Sequence, residues 1–233
     1  ASDVVPLLRH TRRVIFLEDG DLAELTREGV RIFDMDGHEV HRAPQSIPFD
    51  PVAAEKGRFK HFMQKEIFEQ PQAISNTLLN RLPIDAADPI PLSLPFPDAD
   101  LKALQRIHIV ACGTSWHAGL VGKFLIEQLA RTAVEVDYAS EYRYREPVIP
   151  EGTLIIGITQ SGETADTLAA MKEAASRGAH TLAICNVMGS TATRQAEATI
   201  LTHAGPEIGV ASTKAFTTQL VVLTLLALRI GEA

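Results

Sequence analysis

Cysteine is scarce in this sequence of 233 residues, and its scarcity argues against two classes of protein. Cys112 and Cys185 are its two cysteines, and they lie far apart and outside any CxxC pattern. A disulfide framework and a structural zinc site both need more cysteines at closer spacing. We therefore expect reduced cytosolic thiols that pack as small apolar side chains, and we expect no metal and no cofactor.

Positive charge and long hydrophobic runs are also lacking. The net charge is -7, which does not favour a nucleic-acid-binding surface. The longest apolar run, Leu220 to Leu228, is too short to span a bilayer. No signal peptide is visible, and the chain begins with Ala1 rather than methionine. We expect a piece of a longer cytoplasmic protein with neither a nucleic-acid nor a membrane partner.

Hydrophobic residues make up 45% of the chain, which is enough for a substantial core. From about residue 100, short apolar segments alternate with helical ones, and this order predicts an α/β fold with a five-stranded, parallel, doubly wound sheet. The predicted strands are 107–111, 134–138, 154–158, 181–185 and 198–201, and the predicted helices are 116–129, 164–177, 190–196 and 213–229.

The chain before residue 100 follows a different pattern. Residues 1–42 hold four short apolar segments separated by turn residues, which is typical of an antiparallel β meander. A meander alone has no layer to cover its apolar face, so we expect it to complete a domain that starts outside this chain. We predict three regions: 1–45, a linker over 46–99, and an α/β domain over 100–233.

The predicted linker contains two helical segments and a proline-rich stretch. A helix over 61–70 has Phe62, Ile67 and Phe68 broadly on one side, with His61 and Lys65 expected on a solvated face. Pro71 should kink or end it. A second helix over 72–82 follows, and five of the 13 prolines lie between residues 83 and 97.

A hydroxyl-rich turn, Thr159-Gln160-Ser161-Gly162-Glu163-Thr164, follows the predicted strand 154–158 and precedes a helix. Ligands of open α/β sheets bind at the carboxyl ends of strands. A helix N-terminus offers unpaired N–H groups and partial positive charge, and hydroxyls add donors. For this turn alone two interpretations stay open: a phosphate site, or a helix start that Ser161 merely caps.

A second turn of the same kind favours the phosphate. Cys112-Gly113-Thr114-Ser115 follows the strand ending at Ala111, so the two turns can face one crevice. Neither GxGxxG nor GxxxxGK[ST] follows a strand, and hydroxyl turns in their place suit a small phosphorylated metabolite. Because a carboxylate would repel a phosphate, Glu163 should point away, toward a basic group or a neighbouring subunit.

A third stretch, Glu207 to Lys214, enters the last helix. Its small residues allow close approach of a ligand, and Ser212 can cap the helix or hold a sugar hydroxyl. Lys214 can be read as a catalytic amine, but an exposed lysine is the simpler expectation. Cys112 lacks a histidine poised to activate it as a nucleophile, and the histidines show no metal-ligand spacing.

These motifs resemble one enzyme family. The segments 112–115, 159–167, 183–187 and 207–220 resemble the first sugar isomerase (SIS) domain, a flavodoxin-like fold, of the glutamine–fructose-6-phosphate aminotransferases. Upstream, 11–18 and 65–71 resemble the end of that family's glutaminase domain and the segment leading to its isomerase half. The resemblance covers essentially the whole chain.

The resemblance implies a function and a set of binding residues. The family hydrolyses glutamine and passes the ammonia to fructose 6-phosphate, which yields glucosamine 6-phosphate in a cytoplasmic homodimer. The roles implied here are phosphate binding by Ser115, Thr159, Gln160, Ser161 and Thr164, sugar contacts by Thr114, Val210 and Ser212, and a pocket wall from Cys112 and Gly113. Thr159 stands where many relatives have serine, and the hydroxyl is kept.

The resemblance places the family's catalytic groups outside this chain. The glutaminase nucleophile would precede Ala1, and the second SIS domain, with the acid–base residues, would follow Ala233. We therefore expect no catalytic residue and no activity in the isolated chain. Two other readings are a non-catalytic sugar-phosphate regulator, which a helix-turn-helix or basic patch would favour, and a plain structural domain, which leaves the paired turns unexplained.

Overall fold

The computed structural model describes residues 4, 7, 10–47, 55–83, 85 and 88–233. The chain forms two compact units, 1–54 and 55–233. The start of the predicted linker, 48–54, lies outside the described residues, as do 84, 86 and 87 in its proline-rich part. The assignment of the three predicted regions to domains of a longer protein stays a prediction.

The described residues of the first unit form two small antiparallel ladders. Strand β1 (Arg13–Val14) pairs with β4 (Gln45–Ser46), and β2 (Leu22–Leu25) pairs with β3 (Val30–Phe33). The predicted four-stranded meander is therefore divided into two ladders.

The segment predicted as a fourth strand of the meander, 38–42, contributes only an isolated bridge, from Glu39 to Phe33. Its end is held elsewhere, because the Arg42 guanidinium donates to both oxygens of Asp21 at 3.0 Å. Arg42 also lies 2.8 Å from a Glu18 oxygen. These contacts draw the chain toward the turn after β1 rather than along β3.

The second unit is built on a five-stranded parallel sheet, as predicted. Its strands lie in the order β6-β5-β7-β8-β9. The register sets Ala111 opposite both Tyr138 and Ile158, so three strands end at one level. The strands are β5 (Arg106–Ala111), β6 (Ala133–Tyr138), β7 (Thr153–Thr159), β8 (His180–Cys185) and β9 (Ala198–Leu201).

Helices cover both faces of this sheet. Alternate side chains of β5 point to opposite faces: Ile107 and Ile109 join the core under α3 and α7, whereas Val110 joins the core under α4, α5 and α6. The short helices α2 and α4 were not predicted. The helices are α1 (Phe62–Leu78), α2 (Asp98–Lys102), α3 (Gly113–Leu129), α4 (Ala139–Tyr142), α5 (Ala165–Ser176), α6 (Thr191–Gln195) and α7 (Lys214–Glu232).

Helix α1 runs through Pro71, so the prediction of two helices separated at this residue is wrong. A proline has no N–H to donate to the carbonyl four residues earlier. Here that carbonyl belongs to Ile67, and it accepts a hydrogen bond from Gln70 Nε2 at 3.0 Å instead. The helix ends at Leu78, and Leu79 and Leu82 beyond it are exposed.

The packing face of α1 also differs from the apolar side seen in the sequence. Ile67 and Phe68 are 43% and 68% exposed, whereas Glu66, Ala73 and Thr77 are buried. Lys65 is not on a solvated face either, since its side chain is 12% exposed and its Nζ lies 3.4 Å from Glu69. Polar contacts join this helix to α7, from Glu69 to Lys214 and from Gln70 to Thr217.

Helix α7 contains the apolar run that was judged too short for a bilayer. The helix has 19 residues and a mean hydropathy of 1.4, so among the described helices it alone is long and apolar enough to cross a membrane by length and composition. Half of that stretch is buried inside the second unit, where α7 packs against α1 and α3. A core helix passes the same test of length and hydropathy.

Candidate functional site

The candidate site lies where the strand order reverses. From β5 the chain passes through α3 to β6 on one side, and it then returns to β7 on the other side. The loops that leave β5 and β7 therefore separate above adjacent strands and open a crevice at the carboxyl end of the sheet.

A cleft of about 440 Å³ occupies this crevice. A second cavity, of about 400 Å³, lies near Gly152 and His180 at the amino ends of the strands. We place the candidate site in the first cleft because ligands of such sheets bind at the carboxyl edge. The structure brings every predicted binding residue to its lining: Cys112, Gly113, Thr114, Ser115, Thr159, Gln160, Ser161, Thr164, Val210 and Ser212.

The first turn is the beginning of a helix. Helix α3 starts at Gly113 rather than at the predicted Trp116, so Thr114 and Ser115 belong to its first turn. The N–H groups of a first turn have no acceptor within the helix. Gly113 has a φ of +59°, which other residues adopt with strain. Cys112 is half-buried on the cleft wall, and only Cys185 is fully buried as expected.

The second turn is held by its own hydroxyls. Thr159 Oγ1 accepts a hydrogen bond from Gly162 N–H at 3.1 Å and lies 3.1 Å from Thr164 Oγ1. Ser161 Oγ accepts from Glu163 N–H at 3.1 Å. The residue at the N-cap of α5 is Thr164, so the interpretation of Ser161 as a helix cap is wrong. The Ser161 hydroxyl keeps its own proton to donate.

Gly162 lets this turn approach α6 closely. Its φ is +74°, and a Cβ at this position would lie 2.0 Å from Ser190 Oγ. The position therefore requires glycine twice, for its left-handed backbone and for the missing side chain.

The Glu163 carboxylate is directed toward α6. Its Oε1 accepts from Thr191 N–H at 2.9 Å, and its Oε2 accepts from the Thr191 hydroxyl at 2.7 Å. The expectation that it would point away from the turn is met. Its partner is a helix start rather than a basic group or a second subunit, since a carboxylate suits the positive end of a helix.

The third wall of the cleft is the segment 207–213. Val210 is fully exposed on it, and Ser212 Oγ accepts from Phe216 N–H at 3.2 Å. Glu207 Oε1 accepts from Thr213 N–H at 2.8 Å and from Ala215 N–H at 3.1 Å. The Glu207 carboxylate thus satisfies the start of α7, a role that the sequence analysis did not assign.

Lys214 is buried, so the expectation of an exposed lysine is wrong. Its Nζ donates to Glu69 Oε2 at 2.7 Å, and it does not line the cleft. The lysine faces α1 rather than solvent because that helix supplies the compensating charge. Nothing in its position supports a catalytic amine.

Two residues that brace the cleft were missed. Gln219 of α7 is 2% exposed, and its Nε2 donates to Ser115 Oγ at 3.0 Å, which leaves the serine proton free to point elsewhere. Asn186 Oδ1 accepts from Ala204 N–H at 2.8 Å, and its Nδ2 donates to the Gly205 carbonyl at 2.7 Å. Gln219 and Ser115 are 104 positions apart, so no local pattern signals their contact.

The cleft is rich in neutral donors and poor in charge. Among the described residues that line it, Glu207 carries the only charged side chain, and its carboxylate is engaged at α7. Burial raises the pKa of the nearby Cys185 thiol, which keeps that group neutral as well. An anion bound here would be held by N–H and O–H groups and by helix starts, without a side-chain cation.

The SIS domain family matches residues 101–229. The glutamine–fructose-6-phosphate aminotransferase [isomerizing] of Symbiobacterium thermophilum is 53% identical over 234 residues, which cover 100% of this chain and 38% of that protein. The Thermus thermophilus protein of the same name is 52% identical over 233 residues, with the same coverage. The chain thus spans under two fifths of the length of these relatives.

Solved structures agree with this match. The C-terminal domain of glucosamine-fructose-6-phosphate aminotransferase from Francisella tularensis is 45% identical, with a TM-score of 0.71. The similarity covers 76% of this chain and 50% of that one. The tagatose-6-phosphate ketose/aldose isomerase of Escherichia coli, at 20% identity and a TM-score of 0.56, shares the fold.

Proposed function

This chain belongs to the SIS domain family, and we propose that it is part of an enzyme that makes glucosamine 6-phosphate from fructose 6-phosphate and glutamine. Residues 100–233 supply a half-site that binds the sugar phosphate. The observation that carries the proposal is the convergence of two hydroxyl-rich turns, from adjacent parallel strands, on one cleft.

The chemistry of the cleft supports a phosphate as the bound group. Ser115 lies in the first turn of α3, and Thr164 caps α5, so two helix N-termini meet at the cleft. Each contributes partial positive charge and free N–H groups, which together stabilise an anion. This arrangement supports the proposed phosphate contacts of Ser115, Thr159, Gln160, Ser161 and Thr164.

The rest of the cleft suits the sugar. Val210 offers an exposed apolar surface, and Thr114 and Ser212 offer hydroxyls, so these three residues can contact carbon and oxygen atoms of a carbohydrate. In the proposal, Cys112 and Gly113 form part of the pocket wall. No metal and no cofactor enters the proposal.

Aminotransferase relatives that extend well beyond this chain support its assignment to a larger enzyme. In the proposal, 1–45 is the end of a glutaminase domain, 46–99 is the linker, and the bond-making groups lie outside the chain. The whole protein is a cytoplasmic homodimer with neither a nucleic-acid nor a membrane partner. We expect the isolated chain neither to hydrolyse glutamine nor to isomerise sugar, and measurable turnover would contradict this.

A titration of the labelled chain followed by NMR tests the half-site. Fructose 6-phosphate and inorganic phosphate should both shift the amides of Ser115, Ser161 and Thr164, whereas unphosphorylated fructose should not. Ser161→Ala should weaken binding of both phosphorylated ligands about tenfold. Ser176→Ala, the same change at an exposed position of α5, is the control. Unchanged amides at saturating fructose 6-phosphate would refute the proposal.

A further inference from the structure

Helix α1 reaches the cleft segment 207–213 through a buried carboxylate. Glu66 is 2% exposed, and its Oε1 accepts from Ile208 N–H at 2.6 Å and from Gly209 N–H at 3.1 Å. Its Oε2 accepts from Gly209 N–H as well, at 3.1 Å. Glu66 itself does not line the cleft, so it acts on the segment from behind.

Gly209 makes this contact possible. A Cβ at this position would lie 2.5 Å from Glu66 Oε2 and 3.4 Å from the backbone of Met63. A side chain here would push α1 and the segment apart, so the carboxylate and the glycine form a matched pair.

Other polar side chains of α1 hold the surroundings of Glu66. Glu69 binds the Lys214 ammonium at 2.7 Å, and Gln70 Oε1 accepts from the Thr217 hydroxyl. Farther along the helix, the Thr77 hydroxyl donates to the Thr202 carbonyl at 2.6 Å. Helix α1 therefore contacts the chain before this segment, within it and after it.

Burying a carboxylate is costly unless it is fully hydrogen-bonded, and an apolar contact would hold the two elements together without that cost. An apolar contact, however, is not directional. Hydrogen bonds to two successive N–H groups fix the orientation of that backbone and of its neighbour Val210, which faces the cleft. The cost of burying the Glu66 carboxylate is therefore consistent with a role in positioning this backbone.

We propose that Glu66 is a positioning residue that sets the affinity of the cleft for the sugar part of its ligand. This inference rests on the proposed function. Glu66 places Val210 and Ser212 against the sugar, whereas the phosphate is held by the turns 112–115 and 159–164, which Glu66 does not contact. Loss of Glu66 should therefore weaken the binding of fructose 6-phosphate and leave the binding of inorganic phosphate nearly unchanged.

The test is Glu66→Gln in the full 233-residue chain. The amide keeps one acceptor oxygen and the shape of the side chain but presents an NH2 group to Gly209 N–H. We expect fructose 6-phosphate to bind about tenfold more weakly and inorganic phosphate to stay within about twofold. Hydrogen exchange at the Ile208 and Gly209 amides should accelerate, whereas at Ser115 it should not. Glu141→Gln, on the exposed surface of α4, is the control of equal charge.

Gly209→Ala approaches the same contact from its other side and serves if Glu66→Gln does not fold. It should also weaken fructose 6-phosphate selectively. Equal losses for both ligands, or no loss with either variant, would overturn the role of Glu66. If the unaltered chain binds no fructose 6-phosphate, the proposed function itself fails, together with the role of Glu66 in affinity. Faster hydrogen exchange at the Ile208 amide of the Glu66→Gln chain would then show only that Glu66 holds this backbone.

Discussion

The two sides of the cleft are anchored differently. The turns 112–115 and 159–164 are direct continuations of β5 and β7 in the middle of the sheet. The segment 207–213 follows β9 at the sheet edge and is held by Glu66, which is 142 positions away from Ile208. The first side follows its strands, with a long-range brace from Gln219 to Ser115, whereas the second side depends on contacts with α1, so substitutions should separate them.

The largest effect should come from filling the space behind the second turn. Gly162→Ala adds a Cβ that would lie 2.0 Å from Ser190 Oγ at a φ of +74°, so we expect a loss of about 3 kcal/mol in the free energy of unfolding and no sugar-phosphate binding. Urea unfolding and ligand titration measure both.

Gly178→Ala is the matched control for this substitution. Its φ is +93°, but no atom lies within 4 Å of the added Cβ, so only the backbone term of about 1 kcal/mol should be lost. Equal losses at Gly162 and Gly178 would show that the contact with α6 does not hold the turn.

The ion pair beside the other side of the cleft should give the next largest effect. Lys214→Met removes the cation from Glu69 and should lower the free energy of unfolding by about 2 kcal/mol. The loss is limited because Glu69 is partly exposed and Lys65 lies 3.4 Å from its other oxygen. Adding Glu69→Gln should restore part of the stability in urea unfolding, whereas strictly additive losses would argue against a coupled pair.

Substitution of two serines, one on each side of the cleft, should affect the affinities for fructose 6-phosphate and inorganic phosphate differently. Ser115→Ala should weaken fructose 6-phosphate and inorganic phosphate alike, each about tenfold, because it removes a hydroxyl from the phosphate side. Ser212→Ala should weaken only fructose 6-phosphate, by a few-fold. Isothermal titration calorimetry with both ligands measures the four affinities. The same ligand pattern for both variants would remove the distinction between the two sides.

The smallest effect is a pH dependence of stability that arises in β5, the strand that leads into the turn 112–115. His108 of β5 is 1% exposed, and burial lowers its pKa from 6.5, although Glu135 at 3.4 Å opposes the shift. Below pH 6.5 the unfolded chain binds more protons than the folded one. Stability is therefore fully present above that pH and falls as the pH drops toward the folded-state pKa.

Urea unfolding at pH 7.5 and 5.5 measures this dependence. Between these values we expect a loss of at most about 1.4 kcal/mol, the limit set by the ordinary histidine pKa of 6.5, and His108→Phe should reduce this loss. His117→Phe, the same change on the exposed side of α3, is the matched control. An identical pH dependence in the chain with His108→Phe would assign the effect to other groups.

The parts of the structure that were predicted well are those with strong local signals. Each predicted strand of the parallel sheet agrees with the structure to within one residue at either end, because buried runs such as Leu154–Ile158 can be recognised without their partners. The turn residues that line the cleft were also named from the sequence, since Thr159 to Thr164 must follow β7 wherever the helix begins.

Helix α1 shows why other features were missed. Beside Ala73 its buried residues are Glu66 and Thr77, and Glu69 and Gln70 are partly buried, although all four polar residues look solvated in isolation. Their partners are backbone and side-chain groups at 202–217, and no window of local sequence contains both ends of such a contact. Lys214 was misjudged for the same reason.

The sequence by itself determined the parallel sheet, the order of helices and strands along the chain, and the two hydroxyl-rich turns, because periodicity and connectivity are local properties. Only the tertiary structure decided that Pro71 stays within a helix, that Lys214 is buried, and that a carboxylate from α1 holds the third wall. Those outcomes depend on whether a polar group finds its partner far along the chain, since an unpaired buried polar group costs about 1–3 kcal/mol, a large part of the net stability of a domain.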